Sequence, residues 1–229
     1  MALPLTTKNF LLTFKEFLTV WLNQILYYHH VYDPLVFDKV TAFDLVVYKN
    51  RHPNLDQYID QLFVGVINEL IIHREKAKTS EAFNGLHNIN CLIYNVQTNT
   101  VVSRHTINFH QFIVNLRETV FDLSLSSVDT SSKITIEHIN WNEINAQYST
   151  ALFHHTQHLK KLDPHKTDPD AYFFKVTVDV DKLLYINNRG GNWVRLDRGD
   201  DDPSHSDFTA IGQVDLDILN FSCYTETYR

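Results

Sequence analysis

Three long segments repeat apolar residues at three- and four-residue steps, and between them lie stretches that alternate apolar with polar residues. Together they predict an α+β domain, with three long helices packed on an antiparallel β-sheet. A third observation is the tail, where strand-like composition returns after a loop containing Gly190 and Gly191. The expected order is helix, short strand, helix, hairpin, helix, strand and a β-rich tail. The reading is one domain over residues 1–229, with a body at 1–186 and a tail at 187–229.

The bulk properties narrow the function classes. The 229 residues are 44% hydrophobic and 21% charged, and 15 Phe and 11 Tyr supply a sizeable core. This is the balance of an ordinary globular protein. A net charge of −7 argues against direct, non-specific binding to nucleic acid, which needs a basic surface to displace counterions. Only Cys91 and Cys223 are present, which fits a reducing compartment better than a disulfide scaffold. No apolar run approaches transmembrane length, and Lys8, Lys15 and Glu16 interrupt the first segment in a way a signal peptide would not. No membrane association is expected.

The first helix is expected over about residues 7–30, capped by Thr6 or Thr7, with Phe10, Phe14, Phe17, Trp21, Ile25 and Tyr28 on one stripe. Asp33-Pro34 is the expected stop. Alternation from Phe43 through Leu45 and Val47 predicts a short strand. Pro53 suits a first helical position and Asp56 a first turn. From there Leu55, Ile59, Leu62, Phe63, Val66 and Ile67 give an apolar face broad enough to predict the central core helix, over about 53–74.

Residues 75–87 read as a polar loop. Ile89 to Val96, a turn at Gln97-Thr98-Asn99-Thr100 and extended character from Val101 to about Val114 predict the best hairpin in the chain. Residues 124–133 are rich in Ser, Thr and Asp and read as a loop. A third helix is expected over about 136–162, with Ile144, Tyr148, Leu152, His155 and Leu159 on one face. In the strand 172–180, Tyr172, Phe174, Val176, Val178 and Val180 face one way, and Lys175, Thr177 and Asp179 the other. The tail, at 207–226, has less apolar material than the body and is expected to be the least stably paired part.

Few residues ask for chemistry. His154 and His158 stand at i, i+4 with His155 between them, but a zinc site needs three or four converging ligands, and the glutamate of HExxH is missing. Ordinary histidines are the expectation. The acidic run from Asp197 to Asp202 lacks EF-hand spacing and reads as a solvated loop. There is no P-loop, dinucleotide fingerprint or nucleophile elbow. No catalytic, cofactor-binding or metal residue is therefore assigned, and no cofactor is expected. Tyr58, at the edge of its helical stripe, reads either as a core tyrosine or as a site residue. Trp193, isolated among Gly, Asn and Arg, reads either as tail packing or as a binding anchor.

Two stretches carry a family resemblance: Gln24-Ile25-Leu26-Tyr27-Tyr28-His29-His30-Val31-Tyr32-Asp33-Pro34 and Arg51-His52-Pro53-Asn54-Leu55-Asp56-Gln57-Tyr58-Ile59. They resemble the HORMA-domain accessory, non-catalytic subunit of DNA polymerase zeta, of a fungal type. Asn192-Trp193-Val194 and Asp217-Ile218-Leu219 are similar to that family's tail. The element order also matches, so the resemblance extends over nearly the whole chain, in pattern alone at 75–145. One departure is Asp33, which separates Tyr32 from Pro34 where the family has Tyr-Pro directly.

The resemblance implies a HORMA-like fold and a nuclear, non-enzymatic adaptor in DNA damage tolerance. Its C-terminal "safety belt" would hold a peptide of the polymerase zeta catalytic subunit against a sheet edge. It implies Tyr58 and Trp193 as peptide-binding residues, and Leu219, Phe221 and Tyr224 as the surface that meets a Y-family polymerase scaffold. Family members also pair with a second HORMA protomer through an arginine on the third helix, a region that here reads Gln147-Tyr148-Ser149-Thr150. The alternatives are a checkpoint or meiotic HORMA adaptor for other closure peptides and, from another class, a small metal-dependent hydrolase using the histidines.

Overall fold

The computed structural model describes residues 4–76, 86–112, 139–161, 171–180 and 206–228. In chain order they form α1 (Thr7–Tyr28), a 3-10 turn (Pro34–Val36), β1 (Phe37–Ala42), β2 (Leu45–Asn50), α2 (Pro53–Lys76), β3 (Leu86–Asn95) and β4 (Val101–Phe112). They continue with α3 (Trp141–Leu159), β5 (Tyr172–Val180), β6 (Ser206–Leu216) and β7 (Leu219–Tyr228). The expected loops within 75–87 and 124–133, the Gly190-Gly191 loop, Trp193 and the run Asp197 to Asp202 lie wholly or mostly outside these residues.

Five strands form one antiparallel sheet in the order β5-β3-β4-β7-β6, and β1 and β2 form a separate hairpin. The three helices and this sheet make the α+β architecture expected. β5, ending at Val180, lies at one edge of the sheet and β6, starting at Ser206, at the opposite edge. One continuous core runs between helices and sheet. Phe14, Phe17, Phe109, Tyr148 and Phe221 meet at its centre, with Phe17 centred 4.7 Å from Tyr148 and 5.4 Å from Phe221.

The central helix is α1, not α2. It packs on α2, α3 and β2, and its burial wraps well beyond one stripe, from Phe10 and Leu11 to Ile25 and Leu26. Even its polar residues are used inward. Gln24 donates to the Tyr48 carbonyl at 2.9 Å and accepts from the Tyr48 N–H at 3.3 Å, and Asn23 accepts from the Asn50 N–H at 3.0 Å. These amides satisfy backbone groups of β2 that would otherwise be left unpaired. α2 buries Leu55, Ile59, Phe63, Val66 and Ile67 but exposes Gln57, Tyr58 and Asp60, so it is a flanking helix. Breadth of an apolar stripe identified both helices and could not rank them.

The tail is also better anchored than its composition suggests. Along β6 and β7, period-two alternation sends Val214, Leu216, Leu219, Phe221 and Cys223 into the core. Half of a strand's residues suffice to cover one sheet face, so a modest apolar fraction still builds a full contribution.

Candidate functional site

β5 pairs with β3 on one side and with no strand on the other among the described residues. Its inward face carries Tyr172, Phe174, Val176, Val178 and Val180 against the core, as the alternation predicts. Beside Phe174 lies an open cavity of about 630 Å³. The turn after α1 supplies Tyr32, Asp33 and Val36, and the start of α2 supplies His52, Asn54, Leu55 and Tyr58. Phe174 stands between two tyrosines, with ring centroids 6.3 Å from Tyr32 and 6.2 Å from Tyr58, both edge-on.

Both tyrosines are partly open to solvent, Tyr32 at 37% and Tyr58 at 47%. Burial raises each phenol above its ordinary value, and Tyr58 is raised further by the neighbouring Cys91 thiol and Tyr32 phenol. They stay neutral near pH 7, as hydrogen-bond donors on an apolar wall. Local structure fixes the wall. Asp33 caps the 3-10 turn by accepting from the Leu35 N–H at 2.8 Å. Arg51 donates to the Leu35 carbonyl and reaches Asp38 at 3.7 Å, and its N–H donates to the Val36 carbonyl at 2.9 Å. The turn and the entry to α2 are therefore tied together.

A concave aromatic site beside an unpaired strand edge has one evident use. An extended peptide can extend the sheet through main-chain hydrogen bonds while alternate side chains enter the cavity.

A second cluster lies deeper. The ring nitrogens of His29 and His105 approach to 2.7 Å, and His155 reaches the other nitrogen of His105 at 3.5 Å. Thr225 Oγ1 is 3.0 Å from that same nitrogen. His158 adds its field, while His154 is exposed, its ring beside Gly212 of β6. Burial, reinforced by the mutual presence of these rings, pushes His29 and His155 down to about 3 and His105 well below its ordinary value. His29 and His155 lie on opposite nitrogens of His105, so the rings form a chain rather than a converging ligand set. Among the described residues no group of three or more His, Cys, Asp or Glu could hold a metal ion.

Comparison with solved structures places this architecture. Over 94% of this chain and 96% of its counterpart, a chain of the mitotic checkpoint complex superimposes with a TM-score of 0.66 at 13% identity. C. elegans HTP-2 bound to the HIM-3 closure motif gives 0.55 over 93% and 88%, and HTP-2 bound to HTP-3 motif-6 gives 0.57 over 96% and 89%, each at 13% identity. The fold is the HORMA fold. No family model matches the chain. By sequence it is similar to the DNA polymerase zeta processivity subunit of Saccharomyces cerevisiae, at 22% identity over 215 residues, 85% of this chain and 75% of the yeast protein. The resemblance read from the motifs around Tyr32 and Tyr58 is thus met again in the comparison of whole chains.

Within the HORMA fold the expected site residues fare differently. Tyr58 lines the cavity by the β5 edge. Trp193 lies outside the described residues. Leu219 and Phe221 are completely buried and cannot form a surface for a partner, because their strand positions face the helices. Tyr224, on the opposite face of β7, reaches the surface and packs against the exposed Phe208 ring at 5.0 Å. On α3, Gln147 donates to the Asp215 carbonyl at 2.8 Å and accepts from the Asp215 N–H at 2.6 Å. The position read as the pairing region thus ties α3 to β6.

Phe174 was legible as an inward strand residue but not as a site residue, because only sheet order reveals that β5 is an edge. Tyr32 and His52 sat inside the two motifs without a role until the fold brought those motifs together.

Proposed function

We propose that this HORMA protein is a non-enzymatic adaptor that captures an extended segment of a partner by strand addition to β5. The observation that carries the reading is the β5 edge, unpaired among the described residues and flanked by the cavity of Tyr32, Tyr58 and Phe174. The partner proposed is the catalytic subunit of DNA polymerase zeta, and the setting is translesion synthesis in the nucleus. Similarity to the yeast processivity subunit supports this choice. Residues 187–229 act as the belt, with Trp193, like Tyr58, as a peptide-binding residue. The Y-family scaffold meets the surface around Tyr224 and Phe208 rather than Leu219 or Phe221.

Co-purification from cells with mass spectrometry tests the partner. Recovery of the polymerase zeta catalytic subunit supports the reading, and recovery of a checkpoint or meiotic protein moves it to the second adaptor class. The likeness to closure-motif-bound HTP-2 keeps that class in view. Calorimetry with the captured segment tests the site. Truncating a buried aromatic anchor commonly costs about 2 kcal/mol, roughly thirtyfold in affinity. Tyr58→Ala and Trp193→Ala should each weaken binding by that order. Tyr58→Ala should leave folding nearly unchanged, because its side chain is half exposed. Wild-type affinity in both variants would remove the site from the β5 edge.

A further inference from the structure

We infer that the cavity beside β5 selects a basic side chain, lysine or arginine, at one fixed position of the bound segment, with Asp33 as the specificity-determining residue. The inference rests on the peptide-capture reading of this site. Tyr32, Phe174 and Tyr58 line one space, the outer two rings set edge-on to the middle one with centroids 6.3 and 6.2 Å away. A ring face open to the space attracts a cation through its quadrupole. Such a space also accepts an aliphatic side chain, so the rings alone do not decide between them.

Asp33 decides between them. Its Oδ1 accepts from the Leu35 N–H at 2.8 Å, which fixes the carboxylate at the cavity wall. No cation pairs with it among the described residues. Of the Lys and Arg side chains near by, Arg51 is engaged with Asp38 and the Leu35 carbonyl, and Lys49 with Asp56 at 3.7 Å, while His52 shares the cavity wall. A fixed carboxylate with an unpaired Oδ2, beside three aromatic rings, favours a cation over an uncharged side chain of equal length.

The strand geometry fixes the position. Residues of a strand added to β5 alternate between the two faces, so only those on the side of Phe174 meet the cavity, while their neighbours lie on the side of Phe173 and Lys175. Register and charge preference are therefore linked. A shift by one residue would carry the basic side chain to the other face, away from Asp33.

Selection of a phage-displayed library of random sixteen-residue peptides on the full chain tests this. Enriched peptides should share lysine or arginine at one position. In a synthetic enriched peptide, lysine should bind about fivefold more tightly than norleucine at that position, a difference that shrinks with added salt. Asp33→Asn keeps the capping oxygen and should reduce the ratio to within about twofold, with Tyr32→Ala lowering it as well. Enriched peptides that need Tyr58 but show no basic position, or a lysine preference untouched by Asp33→Asn, would overturn the inference and leave capture intact. Failure to enrich any peptide whose binding depends on Tyr58 would overturn both.

Discussion

His30 closes α1 with φ 53, in the left-handed region that glycine favours. The Val31 N–H donates to the Leu26 carbonyl at 3.1 Å and the His30 N–H to the Tyr27 carbonyl at 3.1 Å, the paired bonds of a Schellman cap. The helix therefore ends at Tyr28, before the proline at 34 could stop it. Asp44 poses the same question in the β1–β2 turn, where Phe43 and Asp44 have φ 50 and 59. A two-residue hairpin with both central residues at positive φ matches strand twist and normally recruits Asn-Gly. Here Phe43 is held by packing on Phe17 and Tyr148, at 6.4 and 5.6 Å. His30→Gly and Asp44→Gly should each stabilise the fold by roughly 0.5–1 kcal/mol, since the strained φ is relieved and neither side chain forms a hydrogen bond or ion pair among the described residues. Urea midpoints measure this, and a lower midpoint in both variants would show that the left-handed residues are not strained. Neither conformation was legible, because histidine and phenylalanine carry no turn signal. The alternation through residues 43–49 therefore read as one strand instead of a turn leading into β2.

At the scale of elements, the three helices and the β3–β4 hairpin were legible because long periodic patterns average over local exceptions, but α3, expected over about 136–162, runs only Trp141–Leu159, its start set by the Asn140 cap. β5 was legible to its ends, Tyr172–Val180. The histidine chain was not, since His29, His105 and His155 are distant in sequence and meet only when α1, β4 and α3 pack together. It makes that junction sensitive to acid. Burial first, and then neighbouring histidines, hold the folded-state values of His29 and His155 at about 3, below the ordinary 6.5. Between those values the unfolded chain binds more protons, so stability is complete above about pH 6.5 and falls as pH drops below it. Each such group contributes up to about 1.4 kcal/mol per pH unit in that window. Denaturation midpoints should decline from pH 7 to pH 5, and His155→Leu should flatten the decline whatever it does to stability at pH 7. Parallel profiles for the variant and the wild type would assign the decline to other groups.

For the whole molecule, fold class followed from patterns, but strand order did not, and the site depends on strand order. A strand's sequence records which face is buried, not which neighbour it pairs with. The closing hairpin and the β5 edge, free among the described residues, lie at opposite ends of the sheet, with β3 and β4 between them. Releasing the hairpin would uncover Val214, Leu216, Leu219, Phe221 and Cys223. At about 1.5–3 kcal/mol for each large apolar side chain exposed, that opening is rare. A belt that opens rarely retains its peptide for long, since affinity differences lie mostly in the off-rate. Hydrogen exchange should therefore show strong but incomplete protection of 206–228 without peptide, and more with it. The amides of β5 that face the free edge should change from fast to slow exchange on binding, because the added strand covers them directly. Equal protection of 206–228 in the two states, with β5 protected only when peptide is present, would mean that the hairpin is a permanent part of the sheet. In that case the peptide would enter the β5 edge from the side, without any opening of the hairpin.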